Sequence, residues 1–91
     1  LPEKEAQNRF QSFLTKSADK YFHKCTEKIQ RQLDKHLDDI EKKPYMGYPL
    51  HGKYSGFWAI DSGQFRIIYE IFKEKKLLKI IAIGPRGDVY K

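Results

Sequence analysis

Apolar positions recur with two different periods along the chain, and the change falls near Pro49. From Asn8 to Leu14 the pattern has period two, with Phe10, Ser12 and Leu14 opposed to Arg9, Gln11 and Phe13. That alternation predicts a short strand. Thr15 or Ser17 can then cap a helix, because a hydroxyl accepts one of the unpaired amides at a helix start. Ala18, Tyr21, Phe22 and Cys25 form its apolar face. Thr26 offers a second cap, followed by the stripe Ile29, Leu33, Leu37 and Ile40 at spacings of four, four and three, which predicts an amphipathic helix. Asp38 and Lys42 sit one turn apart and add local support. Pro44 ends this helix, since its ring disfavours helical geometry at Lys43. The segment Pro44–Pro49 reads as a loop.

Beyond that loop the period is two again. Tyr54–Ile60 reads as a strand, Asp61-Ser62-Gly63 as a hairpin connection, and Gln64–Phe72 as the next strand. Lys73–Lys76 is a polar turn, and Leu77–Ile83 is an apolar strand stopped by Gly84-Pro85. Asp88–Lys91 follows as a short extended tail, with Asp88, like Asp61, a turn residue. The order strand, two helices, then an antiparallel meander predicts an α+β domain, with the two helices packed on one face of a twisted sheet. If Phe65, Ile67, Tyr69 and Ile71 face the helices, Arg66 projects from the open face. With a three-residue turn, Phe57 and Ala59 would join the core, and Trp58 and Ile60 would share the open face with Arg66.

Ninety-one residues are enough for one domain, here read as 1–91 with residues 1–8 as a flexible extension. The net charge of +6 is unevenly spread. Residues 1–43 hold ten basic and eight acidic side chains, and residues 44–91 hold eight and four. The excess on the sheet-forming half suits a partner carrying phosphates. Cys25 is the single cysteine, which rules out an intrachain disulfide and a cysteine-based metal site. No apolar stretch approaches the roughly 18 residues that span a bilayer. The N-terminus LPEKEAQN lacks the apolar core of a signal peptide, so no membrane partner and a cytoplasmic setting are expected.

The run PLHGKYSGFWAIDSGQFRIIYEI followed by KIIAIGPRGDVYK resembles the RelE/ParE family of toxin–antitoxin systems. The elements that carry it are Leu50 and Gly52, then Phe65-Arg66-Ile67-Ile68-Tyr69, then Ile83-Gly84, Arg86 and Val89-Tyr90. FLTKSADKYF is similar to the family's first strand entering its first helix, so the resemblance covers roughly residues 9–91. It implies a RelE-like fold of order βααβββ and a cognate antitoxin protein as partner. One branch cuts mRNA on the ribosome without a metal or other cofactor, and another inhibits DNA gyrase. Fold alone does not choose between them.

Metal-independent RNA cleavage uses the ribose 2′-hydroxyl as nucleophile. The protein then has to orient the strand, neutralise charge on the phosphorane and move two protons. On the resemblance, Arg66 and Arg86 are the phosphate-binding arginines and Tyr90 is the base-stacking or proton-transfer tyrosine. Each has a plainer reading: an ion pair with Glu70 for Arg66, and a tyrosine covering the sheet edge for Tyr90. Trp58 on the open face could stack on a base, but as the only tryptophan it could equally belong to the core. Familiar RNA-cutting members carry two lysines where this chain has Trp58 and Ile60, and another branch has a glutamate where Tyr48 stands. Lys53 and His51, on the turn entering the strand, are the nearest substitutes, although a turn histidine is commonly just exposed. His23 and His36 read as solvated helix residues. The expectation is a ribosome-dependent mRNA endoribonuclease. The alternatives are a gyrase inhibitor and a relative that only binds its antitoxin.

Overall fold

Two threonines and one proline set the helical layer. The structure, a computed structural model, describes residues 9–88. Strand β1 (Gln11–Leu14) leads into α1 (Lys16–Lys24), where Thr15 Oγ1 accepts from the Ala18 amide at 3.2 Å. Thr26 Oγ1 does the same for Ile29 at 3.3 Å and opens α2 (Glu27–Lys42). Pro44 follows the end of α2 as expected. Strand β1 starts at Gln11, and Asn8, where the alternation begins, lies outside the described residues. Leu33, Leu37 and Ile40 are buried, with Ile29 packed beside them.

The segment read as a loop has structure of its own. Pro44–Met46 forms a 3-10 turn, and Tyr48–Pro49 forms a two-residue edge strand, β2. Tyr69 holds this connection in place. Its ring is fully buried, and its hydroxyl donates to the Pro44 carbonyl at 2.6 Å. Burial pushes the Tyr69 phenol up to about 12, with the Gly47 backbone pulling weakly the other way. Gly47 passes so close that a Cβ there would lie 2.3 Å from the Ala59 carbonyl oxygen and 2.7 Å from Tyr69 Oη.

Strand β3 spans Trp58–Ser62, β4 Phe65–Phe72 and β5 Leu77–Pro85. The five strands lie in the order β1-β5-β4-β3-β2, antiparallel except for the parallel β1–β5 pair. β1 is a sheet edge, and Glu41 of α2 closes it. Phe10 donates its amide to the Glu41 carbonyl at 2.8 Å, and Ser12 donates its own to Glu41 Oε2 at 3.0 Å. Arg9 bonds both Glu41 and Asp38. Glu41 so occupies the Phe10 and Ser12 amides and blunts this edge as a template for another strand. At the opposite edge, Pro49 removes a donor.

Three expectations for the sheet are corrected. Tyr54–Phe57 is not strand, because Gly52 and Gly56 take φ of +67° and +97°. Residues 52–54 instead make a 3-10 turn, and the chain folds back so that Leu50 donates to the Phe57 carbonyl. Second, β5 runs through Gly84 to Pro85. Arg86 donates its amide to Gln64 at 2.8 Å, so the intervening Phe65–Pro85 pair is a non-hydrogen-bonded one, where a missing N–H costs nothing.

The third correction matters most. The β3–β4 loop is the two residues Gly63-Gln64, not Asp61–Gly63, since Ser62 pairs with Phe65. Gly63 has φ +62° and Gln64 stays at negative φ, the glycine-first turn that suits a two-residue hairpin. A one-residue change of loop length turns every β3 side chain to the other face. Trp58 and Ile60, paired with Tyr69 and Ile67, therefore face the helices. Phe57 and Ala59 lie on the open face with Ile68 and Leu50. Ser62 is buried beneath α2, its carbonyl accepting from Gln32 Nε2 at 2.8 Å and its Oγ 2.8 Å from His36 Nδ1. His36 is thus half-buried rather than a solvated helix residue, and Asp61 is a strand residue rather than a turn residue.

Gly47→Ala should lower stability by about 2–3 kcal/mol, as overpacking against backbone does. Tyr69→Phe, which leaves the Pro44 carbonyl unsatisfied, should cost about 1–2 kcal/mol. Urea unfolding of both variants checks this, and a Gly47→Ala midpoint equal to the parent's would show that the close approach is absent.

Candidate functional site

The register that buries Trp58 also sets Asp61 directly across from Arg66 on the open face. Arg66 Nε donates to Asp61 Oδ1 at 2.8 Å and Nη2 to Oδ2 at 3.5 Å. Tyr48, carried on β2, donates its hydroxyl to Asp61 Oδ1 at 3.1 Å. Its ring centre lies 5.7 Å from the Arg66 guanidinium carbon, within the range of a cation–π contact. Arg66 is only 16% exposed, so packing and pairing hold its guanidinium in one place. Arg86 follows β5 in an exposed turn, tied to the hairpin by its amide bond to Gln64. Its charge acts on both Asp61 and Tyr48.

The electrostatics of this corner are those of a paired acid in a basic setting. Burial alone would push the Asp61 carboxyl up. The bond and charge of Arg66, the Tyr48 hydroxyl and the charge of Arg86 outweigh it and hold the group below the usual carboxylate range. Burial, with the Asp61 charge next, raises the Tyr48 phenol despite both arginines. At neutral pH the corner thus contains two guanidinium groups, one carboxylate and one protonated phenol. Such a set binds a phosphate if the phosphate can compete with Asp61 for Arg66.

The sequence-predicted residues divide three ways. Arg66 and Arg86 come together, although the partner of Arg66 is Asp61 and not Glu70, which pairs across the strand with Lys79. Trp58 does not join them. It is half-buried on the helix side, edge-on to Tyr45 with ring centres 5.2 Å apart, so stacking on RNA from the open face is contradicted. His51 and Lys53 are exposed on the loop beside Leu50, with Lys53 Nζ 5.4 Å from the centre of the Tyr54 ring. Among the described residues, no hydrogen bond or ion pair links either of them to the corner. Tyr90 lies outside the described residues.

Tyr48 and Asp61 join the site although the sequence alone does not point to them: it marks Tyr48 as a departure from the family pattern and Asp61 as a turn former. A two-residue loop led by Gly63 would have revealed Asp61, because it places that residue opposite Arg66.

Because the Asp61 pKa is depressed on folding, its stabilising contribution is present above the unfolded value of about 3.9 and is lost as pH falls through the folded value. The stability difference between the parent and Asp61→Asn should therefore be largest near neutrality and shrink below about pH 4. Urea titrations at several pH values test this, and a difference independent of pH would mean that the ion pair does not stabilise the fold.

A family model described as the ParE toxin of the type II toxin–antitoxin system parDE matches residues 7–90. Among solved structures, the fold is similar to one in the RelBE2 toxin–antitoxin complex of Mycobacterium tuberculosis. That match has a TM-score of 0.79 at 22% identity and covers 86% of this chain and 99% of that one. A chain of the intact Escherichia coli RelBE complex gives 0.71 at 22% identity, covering 85% and 95%. The YoeB/ParE toxin of Agrobacterium tumefaciens gives 0.73 at 15% identity, covering 85% and 99%. No curated protein sequence matches the chain. The family match, spanning nearly the whole chain, and the shared fold lead to one conclusion: this chain belongs to the ParE toxin family, within the RelE/ParE superfamily of type II toxin–antitoxin toxins.

Proposed function

We propose that this toxin is a ribosome-dependent mRNA endoribonuclease that stops translation, with Arg66 and Arg86 holding the scissile phosphate. The observation that carries this reading is the cluster of Arg66, Asp61 and Tyr48 on the open face, with Arg86 on the adjoining turn, its amide bonded to Gln64 of the same hairpin. In the proposed step the ribose 2′-oxygen bonds to phosphorus and the bond to the 5′-oxygen breaks. The products are a 2′,3′-cyclic phosphate and a 5′-hydroxyl. The two guanidinium groups offset charge that develops on the phosphorane oxygens. Tyr48, still protonated at neutral pH, offers both a proton donor and an aromatic surface beside Arg66.

The 2′-hydroxyl proton needs an acceptor. In this proposal it is the imidazole of His51, with Lys53 contacting the RNA backbone and Tyr90 stacking on a base. Asp61 is a poor base, since its proton affinity is already lowered by Arg66. The proposed setting is the cytoplasm, with the antitoxin, the ribosome and its mRNA as partners and no cofactor.

One observation favours a second reading, gyrase inhibition without RNA cleavage. The open face of the β3 region presents Phe57, Ala59 and Asp61 and no basic side chain. A toxin acting only by binding needs no proton-transfer pair.

Added to programmed ribosomes, the toxin should cleave mRNA in the decoding site. Arg66→Ala should slow this by about 10²–10³-fold, the cost of losing one transition-state donor. His51→Ala should lower the rate by about 10²-fold or more, as for loss of a general base. Intact mRNA together with inhibited gyrase supercoiling would overturn the cleavage reading in favour of the second one.

A further inference from the structure

The corner carries an acid at the very place where an anion would have to bind. Asp61 lies on β3 directly opposite Arg66, and its carboxylate takes the Nε edge of the guanidinium at 2.8 Å. A carboxylate in this position repels every anion that approaches Arg66. It is also pinned there. Its Oδ1 accepts from Tyr48 Oη at 3.1 Å as well as from Arg66, so side chains on two different strands hold the same oxygen. The second bond, from Arg66 Nη2 to Oδ2, is 3.5 Å long, beyond the usual range for such a bond. A ligand oxygen can displace this weak contact and leave the strong one. Asp61 then keeps its place, and its charge, beside the bound anion.

Arg66 and Asp61 cancel as a pair. Among the described residues, the further charge that acts on Asp61 is that of Arg86, more weakly than Arg66 does. The three groups together leave a single positive charge, and the size of that remainder decides which anion fits. Coulomb attraction to the site grows in proportion to the ligand's charge. The cost of taking the ligand out of water grows, in the Born description, as the square of that charge. A strongly positive site therefore favours a dianion, and a weakly positive one favours a monoanion. Arg66 is 16% exposed and Asp61 33%, so a phosphate that reaches them gives up part of its hydration and the squared cost applies. An internal phosphodiester carries one negative charge, whereas a terminal phosphomonoester carries nearly two at neutral pH.

We propose that Asp61 is a specificity-determining residue, which sets the corner to take the singly charged internal phosphodiester of an RNA strand and to reject a terminal phosphomonoester. The inference rests on the reading of this corner as the site of the scissile phosphate, and it names the form of phosphate held there. Asp61 acts through its charge alone and takes no part in the bond changes. Phosphorylated strand ends and free mononucleotides then compete poorly with the interior of a strand. Specificity of this kind comes from a repulsive element as much as from the attractive one beside it.

The test compares two ligands that differ by one methyl group, 2′-O-methyluridine 3′-phosphate and its methyl ester. Both lack the attacking hydroxyl. Affinities are read from the Arg66 Nε–H resonance in the parent, in Asp61→Asn, and in Asp34→Asn, which removes the same charge from an exposed position on α2. At about pH 7.5, where the monoester is a dianion, the parent should bind the methyl ester more tightly. In Asp61→Asn the ester should gain about 10-fold and the monoester about 100-fold, since a dianion feels the lost charge twice. A change in the position of Arg66 would alter both affinities alike, so the ratio isolates the charge. Asp34→Asn should keep the parent's ratio. In the parent alone, the monoester should lose ground to the ester as pH rises from about 5 to about 7.5, through its second ionisation. Asp61, held below the usual carboxylate range, stays ionised throughout. That comparison decides the matter even if Asp61→Asn fails to fold. Equal ratios in the parent and Asp61→Asn, or a parent ratio that does not fall with pH, overturn the proposal. So does an equal shift in Asp34→Asn, because net charge would then suffice. Binding of neither ligand overturns it together with the phosphate reading of the corner. Equal ratios in a toxin that still cuts mRNA remove this inference alone, and charge selection in a toxin that cuts none supports it and removes only the cleavage reading.

Discussion

The register of the β3–β4 hairpin is the constraint on which the rest of the structure depends. It is set by two residues, Gly63 and Gln64, and by the positive φ of the first. A Cβ on Gly63 would also meet Gln32 Nε2 at 2.6 Å and push that side chain from its place. The same Gln32 bonds the Ser62 carbonyl, so the turn, the end of β3 and the middle of α2 are locked together. Everything on β3 follows from this phase. Trp58, Ile60 and Ser62 go under the helices, and Ala59 and Asp61 go to the open face. A loop one residue longer would bury Asp61 and expose Trp58, at the cost of an uncompensated charge in the core.

That phase gives Arg66 its neighbours. A mid-strand arginine needs a partner once its side chain is mostly covered, and Asp61 is the residue the ladder puts opposite it. The Tyr69–Pro44 bond then matters for the site as well as for the core. It holds the α2–β2 connection against the sheet, so β2 pairs with β3 and delivers Tyr48 to Asp61 and Arg66. The corner is therefore rigid on its strand side, and Arg86 sits on an exposed turn at its rim. A mostly covered, paired arginine beside one on an exposed turn suits a ligand that is first captured and then oriented.

Most of the fold was legible in the sequence because it rests on short-range rules. Thr15, Thr26, Pro44 and the Ile29–Ile40 stripe mark the helices through capping, ring sterics and the helical period. The Phe65–Ile71 alternation marks which side of β4 is core. What was not legible depends on pairing between segments. Nothing local separates Asp61-Ser62-Gly63 as a turn from Gly63-Gln64 as one, because all three residues are common turn formers. Choosing wrongly flips β3 and moves Trp58 into the site and Asp61 out of it. The parallel pairing of β1 with β5 and the role of Glu41 in closing that edge are equally non-local. At the site, family resemblance points to the two arginines, whereas Tyr48 and Asp61 appear only once the register is known.

The central claim is that a phosphate binds at the Arg66–Arg86 corner on the face opposite Trp58. Nuclear magnetic resonance of the side-chain N–H signals tests it directly, during titration with a 3′-phosphorylated dinucleotide. The Nε–H signals of Arg66 and Arg86 should shift together and saturate at one affinity, with the buried-side Trp58 indole unchanged. A shifting Trp58 indole with both arginine signals still would contradict the register, the site and the account built on them.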